Sequence, residues 1–168
     1  EFKKDMHTFL APSIESHEEM YETIRDLKKH SFLFIDEIHA LPKKLQETLL
    51  TVMTDFELEY YAGYSTSVEK FTLVGATTNL GQLSEPFVSR FGFAIQLEKY
   101  SKEEIELIIG INAERNKLKV TPQAITSLAK VSRRNPRTAN RILQRCHDTA
   151  TVLRSKEINN EIVKETLL

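Results

Sequence analysis

Two adjacent carboxylates, Asp36 and Glu37, follow directly on the apolar run Phe32-Leu33-Phe34-Ile35. Nothing in folding asks a strand to end that way. A short continuous apolar run reads as a strand buried on both faces, as in the parallel sheets of α/β proteins, where ligands bind at the carboxyl ends of strands. A carboxylate there can hold Mg²⁺ through its water shell, and a neighbouring one can orient or polarise an attacking water. The bland alternative is a pair of acids that merely stops a strand. A second apolar run, Phe71-Thr72-Leu73-Val74, also ends in small and polar residues, Gly75-Ala76-Thr77-Thr78-Asn79. A Thr- and Asn-rich turn is a common strand ending, but two polar strand ends in one domain strengthen the case for a site.

The elements that must position these groups are legible from spacing. Ile14, Met20, Ile24 and Leu27 give an amphipathic helix near residues 15–29, with no cap or strong element before it, so the chain reads as beginning within a fold. The strand at 32–36 is followed by the turn Leu41-Pro42 and by a helix over 43–54 carrying Leu45, Leu49, Leu50 and Met53. Residues 56–62 and 68–74 are β-rich around Gly63-Tyr64-Ser65-Thr66, which predicts a hairpin whose second arm continues into the strand Phe71–Val74. A short helix near 84–89 and a third strand at 93–98 complete this part.

From Ser101 only helices are expected. Ser101-x-x-Glu104 is a capping box opening a helix to about residue 115, and Thr121 with Pro122 opens another. Asn135-Pro136 begins a third, to about residue 154, and Asn159 can cap a last one. The boundary is placed near 99–101, dividing an α/β part, 1–99, from a helical bundle, 100–168.

Composition narrows the function classes. A chain of 168 residues, 40% apolar, suits one good core or two small ones. No apolar stretch approaches the roughly 18 residues of a membrane span, and no basic-then-apolar leader is seen, so the expected location is cytoplasmic and no membrane partner is expected. The one cysteine, Cys146, forms no intrachain disulfide and reads as core. Lys and Arg number 23 against 24 Asp and Glu, so the chain as a whole is not a polycation built to coat nucleic acid. Arg133, Arg134, Arg137, Arg141, Arg145 and Arg154 nevertheless crowd one late segment, either as a solvated helix face or to meet phosphates.

Four strings together carry a resemblance: Leu33-Phe34-Ile35-Asp36-Glu37-Ile38-His39, Phe71-Thr72-Leu73-Val74-Gly75-Ala76-Thr77-Thr78, Ser89-Arg90-Phe91-Gly92 and Asn135-Pro136-Arg137-Thr138-Ala139-Asn140-Arg141. In this order and at these separations they resemble the RuvB family, the AAA+ motors of bacterial Holliday-junction branch migration. The resemblance implies an α/β fold: the C-terminal part of an AAA+ P-loop ATPase core, a parallel sheet flanked by helices, followed by a small all-helical lid domain. It further implies ATP and Mg²⁺ as cofactors, a homo-oligomeric ring (a hexamer), DNA in the form of a four-way junction gripped by regions outside this chain, and a RuvA-like partner. The activity expected of the complete protein is that of an ATP-hydrolysing DNA helicase or translocase in recombination and repair.

Carried over position by position, Asp36 is similar to the Walker B aspartate that supports Mg²⁺ through water, and Glu37 to the glutamate that polarises the attacking water. Thr78, with Thr77 and Asn79 beside it, resembles sensor 1, which reads the γ-phosphate; which of the three does so is left open. Arg90 resembles the arginine finger given to a neighbouring subunit, where a guanidinium stabilises charge on the transferring phosphoryl group. Arg137 resembles sensor 2, reaching to the phosphates from the start of a lid helix. His39 reads as structural rather than catalytic.

The chain departs from the family in containing no Gly-x-x-x-x-Gly-Lys-Ser/Thr loop, which the family places upstream of residue 1. Its backbone amides and lysine are the principal phosphate cradle, so these 168 residues by themselves are expected neither to bind ATP tightly nor to hydrolyse it. The winged-helix domain with which the family grips DNA is also outside the chain. The hairpin that docks RuvA is expected to be short, which puts that partner in doubt. Two other readings compete: a clamp-loader-like AAA+ ATPase, against which Phe91 stands where Cys is common, and an inactive AAA+ adaptor, against which stand Asp36, Glu37, Arg90 and Arg137 together.

Overall fold

The computed structural model describes residues 5–14, 16–59 and 63–167. The chain divides into two compact units, Glu1–Ala94 and Ile95–Leu168.

The first unit runs β1 (Met6–Leu10), α1 (His17–Arg25), β2 (Phe32–Asp36), α2 (Lys43–Asp55), β3 (Glu57–Glu59), β4 (Ser65–Ser67), β5 (Thr72–Gly75) and α3 (Glu85–Val88). Its sheet is parallel, in the order β1-β2-β5, with Leu10 opposite Asp36 and Ile35 opposite Gly75. All three strands therefore deliver their carboxyl ends to one edge. Met20 and Ile24 of α1, Leu45, Leu49 and Val52 of α2, and Leu33 and Ile35 of β2 are fully buried in one cluster with Ile38, Leu58 and Phe87. Fully burying each side chain of this size contributes about 1.5–3 kcal/mol. α1 starts where Ser16 accepts a hydrogen bond from Glu19 N–H, so the helix is shorter than its apolar spacing suggests.

Several sequence expectations need correction here. β1 has no counterpart among them, because its pattern is short and mostly exposed and gives no two-residue apolar alternation. β2 is fully buried only at Leu33 and Ile35, whereas Phe32 and Phe34 are half-buried, so one face alone is sealed. The hairpin is formed by β3 and β4, with Leu58 opposite Thr66. Ser65 and Thr66 thus lie in a strand rather than in the turn, and β5 leaves the hairpin to pair with β2. The part of the hairpin expectation that falls on 60–62 lies outside the described residues.

The run 93–98 forms no strand. Phe93, Ile95 and Leu97 are 79%, 75% and 89% exposed. Their two-residue alternation suits a strand, but a strand needs a ladder partner, and none pairs with them among the described residues.

The second unit consists of α4 (Lys102–Arg115), α5 (Pro122–Val131), α6 (Pro136–Val152) and α7 (Asn160–Leu167). Ser101 and Glu104 form the reciprocal capping box. Thr121 accepts from Ala124 N–H, Asn135 from Thr138 N–H, and Asn159 from the N–H groups of Glu161 and Ile162. The separate core holds Ile105, Ile109, Leu128, Leu143, Cys146 and Ile162. Burial pushes the Cys146 thiol pKa up, partly offset by a hydrogen bond with Thr166. The arginines at 133, 134, 137, 141, 145 and 154 are all exposed. No helix among the described residues is long and apolar enough to cross a membrane.

Candidate active site

The site is assembled where the tips of β2 and β5 meet. Ala76 N–H donates to the Ile35 carbonyl and Ile38 N–H to the Ala76 carbonyl, each at 2.9 Å, so pairing continues past the end of the sheet. Gly75 lets this join close tightly. A Cβ at that position would lie 2.9 Å from Ile38 Cδ1 and 3.2 Å from Cγ2. Without it, Ile38 sits against the strand at 1% exposure.

Burying Ile38 forces the chain to turn sharply at the residue before it. Glu37 adopts the left-handed conformation, φ 49° and ψ 44°, uncommon for a side chain of this kind. A short 3-10 turn, Ile38–Ala40, follows, with Ala40 N–H donating to the Glu37 carbonyl at 2.8 Å. The reversal sends the Glu37 carboxylate toward the β5 tip rather than along the strand. There Glu37 Oε2 accepts from Thr78 Oγ1 at 3.0 Å and from Thr78 N–H at 3.3 Å.

Asp36 stays exposed at the end of β2, and its Oδ1 accepts from Glu37 N–H at 2.9 Å. Its other oxygen, and Glu37 Oε1, have no partner among the described residues. Thr77 Oγ1 accepts from Asn79 N–H at 3.0 Å and lies 2.9 Å from His39 Nδ1. The structure therefore brings Asp36, Glu37, Thr77, Thr78 and Asn79 into one cluster, although they are about 40 residues apart in the chain.

Among the described residues no group of three or more His, Cys, Asp and Glu side chains could cage a metal. An exposed carboxylate with a free oxygen instead suits Mg²⁺, which keeps much of its water shell and takes only one or two protein carboxylates. Asp36 is the residue that could hold such an ion.

Arg90 follows α3 and is exposed, making no ion pair among the described residues. The residues around it are anchored: Phe87 is buried, and the Phe87 and Phe91 rings meet edge to face with centroids 5.5 Å apart. Arg90 is thus held at its backbone with its side chain left to solvent, and it makes no hydrogen bond or ion pair with Asp36, Glu37 or Thr78. Arg137 belongs to the second unit, where it is exposed in the first turn of α6 behind the Asn135 cap. Sequence reasoning set aside His39 and gave no part to Ile38 or Gly75. The available signal was a histidine two residues beyond the acid on the same tight turn.

A parallel sheet presenting an acid pair and a Thr-Thr-Asn turn at its carboxyl edge, followed by a separate unit of capped helices, defines the ATPase and lid arrangement of the AAA+ class. The particular family is shown by sequence. Residues 1–97 match the model of the Holliday junction DNA helicase RuvB P-loop domain, and residues 100–168 match that of the RuvB AAA lid domain. The chain belongs to the RuvB family. It is 36% identical over 169 residues to the Holliday junction branch migration complex subunit RuvB of Rubrobacter xylanophilus, covering 96% of this chain and 48% of the relative. The corresponding subunit of Lactobacillus delbrueckii is 40% identical over 157 residues, covering 89% of this chain and 47% of the relative. The solved Thermotoga maritima RuvB Holliday junction branch migration motor superposes with a TM-score of 0.86 at 35% identity, over 97% of this chain and 52% of that one. The chain spans about half the length of the curated relatives it matches.

Proposed function

We propose that this chain forms the water-activating and lid portion of an ATP-driven motor that moves four-way DNA junctions, working as a homo-oligomeric ring, a hexamer, in the cytoplasm during recombination and repair. The observation that carries the reading is the Glu37 carboxylate, turned back by its left-handed backbone onto Thr78 and left with one oxygen unpartnered among the described residues. DNA as substrate rests on the names of the relatives, each a subunit of a Holliday junction branch migration complex.

Within this reading Asp36 would hold Mg²⁺ through water, and the ion would neutralise charge on the phosphates. Glu37 orients the attacking water and accepts its proton at the free Oε1. Thr78 has one hydroxyl hydrogen, presently directed to Glu37 Oε2. Bound to a γ-phosphoryl oxygen instead, that hydrogen would leave Glu37 Oε2, so Thr78 is the member of the Thr77–Asn79 group best placed to report nucleotide state. Arg90, exposed and without an ion pair among the described residues, acts on the neighbouring subunit's site, and Arg137 contacts phosphates from the lid. The proposed organisation is an ATPase core over 1–99 and a lid over 100–168. A RuvA-like partner would dock on the β3–β4 hairpin, which exposes Tyr64.

The test uses the full-length protein carrying this segment together with a phosphate-binding loop. Glu37→Gln is expected to lower ATP hydrolysis by about 10²–10⁴-fold, the usual worth of a positioned base, while ATP binding persists. Wild-type turnover in that variant would refute the reading. Arg90→Ala subunits mixed with Glu37→Gln subunits should recover hydrolysis if the guanidinium acts in trans.

A further inference from the structure

We infer that His39 is a positioning residue for Glu37, acting through a hydrogen held on Nδ1; the inference rests on the hydrolytic role proposed for Glu37. His39 Nδ1 lies 2.9 Å from Thr77 Oγ1 and 3.3 Å from Glu37 Oε2. A glutamate that acts as a base is ionised and offers only acceptors. A nitrogen lone pair without a hydrogen, 3.3 Å from Oε2, would repel it. The contact is attractive only if Nδ1 carries the hydrogen, which is donated to the nearer Thr77 hydroxyl oxygen and puts the positive end of the N–H dipole beside the Glu37 carboxylate.

That tautomer settles the hydrogen bonds of the whole turn. Thr77 Oγ1 accepts from His39 Nδ1–H and from Asn79 N–H, which fills its two lone pairs and leaves its own hydrogen to be donated outward. Glu37 Oε2 accepts two hydrogen bonds, from Thr78 Oγ1–H and Thr78 N–H, and has His39 Nδ1 3.3 Å away as a third, electrostatic neighbour. Among the described residues both donors fall on one carboxylate oxygen, so Oε1 is the one left for water. His39 is suited to this because its side chain is only 17% exposed and stands on the turn immediately after Glu37. It ties the acidic tip of β2 to the Thr77–Asn79 turn. When Thr78 gives its hydroxyl hydrogen to a phosphoryl oxygen, His39 and the Thr78 amide keep the carboxylate aimed.

Two measurements test this. In the 168-residue chain, ¹⁵N–¹H correlation of the histidine rings should place the His39 hydrogen on Nδ1; neutral His39 with its hydrogen on Nε2, the form usual for free histidine, would overturn the proposal without any substitution. In the full-length protein, His39→Leu should lower kcat for ATP hydrolysis by about 10- to 100-fold, the scale of a misaligned reacting group, with KM nearly unchanged. His39→Asn, whose amide N–H replaces Nδ1–H, should restore most of kcat. Wild-type kcat in His39→Leu, or His39→Asn no better than His39→Leu, refutes the positioning role. Glu37→Gln separates the two ideas: if it is inactive while His39→Leu is normal, only the role of His39 falls, and if it turns over normally the hydrolytic reading itself falls.

Discussion

Every helix of the second unit begins on a side chain that accepts a hydrogen bond from its own first turn, whereas in the first unit only α1 does so. α2 starts behind Pro42 and α3 behind Ser84, neither with a side-chain cap. The difference reflects what holds each unit together. In the helical unit, each start is written within three residues of its cap, and packing of Ile105, Ile109, Leu128 and Leu143 then joins elements already defined locally. In the sheet unit, the order β1-β2-β5 joins strands separated by helices and a hairpin, so its geometry depends on contacts between distant residues. Local specification suits a lid, and long-range pairing suits a site whose groups must be held at fixed distances.

The sharpest way to break this comparison is to cut the helical core. Leu128 is fully buried, and Leu128→Ala should cost about 2–5 kcal/mol in the second unit alone. Hydrogen exchange should show protection lost across α4–α7 and retained in β2 and β5; equal loss in both units would show that the cores are not independent.

A smaller but more local effect is expected from Gly75→Ala. The added Cβ would meet Ile38, and overpacking of this kind costs about 1–3 kcal/mol. Because Ile38 holds the reversal at Glu37, the variant should also weaken the Glu37–Thr78 bond, visible as faster exchange of the Thr78 amide. An unchanged Thr78 amide would separate Gly75 from the site.

Removing one cap probes the opposite style of construction. Asn135→Ala should cost about 1 kcal/mol by denaturant titration, with fraying confined to the first turn of α6. A loss reaching the sheet would contradict local specification.

The smallest effect concerns pH. Burial raises the Cys146 pKa in the folded state, so the folded protein holds the thiol proton more tightly than the unfolded chain. The resulting stabilisation is fully present below the unfolded pKa, about 8.5, and is lost as pH rises through the folded value. Cys146→Ala should flatten that alkaline slope, and alkylation of native Cys146 should be slow.

How much was legible follows from the same division. Ser101, Thr121, Asn135 and Asn159 announced four helices because a cap acts through its own neighbours. Asp36-Glu37 and Thr77-Thr78-Asn79 could each be recognised as polar strand ends, since an apolar run followed by such residues needs no partner to be read. β1 was invisible because a short, exposed strand is defined by β2 beside it, and the run 93–98 misled because alternation without a ladder partner does not make a strand.

The amino-acid sequence alone therefore determined the division into a sheet part and a helical part, the capped helices and the chemical types at the strand tips. Only the tertiary structure decided that β5 pairs with β2, that a missing Cβ at Gly75 admits Ile38, and that Glu37 turns back onto Thr78 and His39. The physical reason is range: caps and apolar periodicity act over one or two turns of chain, whereas the hydrogen bonds aiming the Glu37 carboxylate require two strand tips, distant in sequence, to meet within about 3 Å.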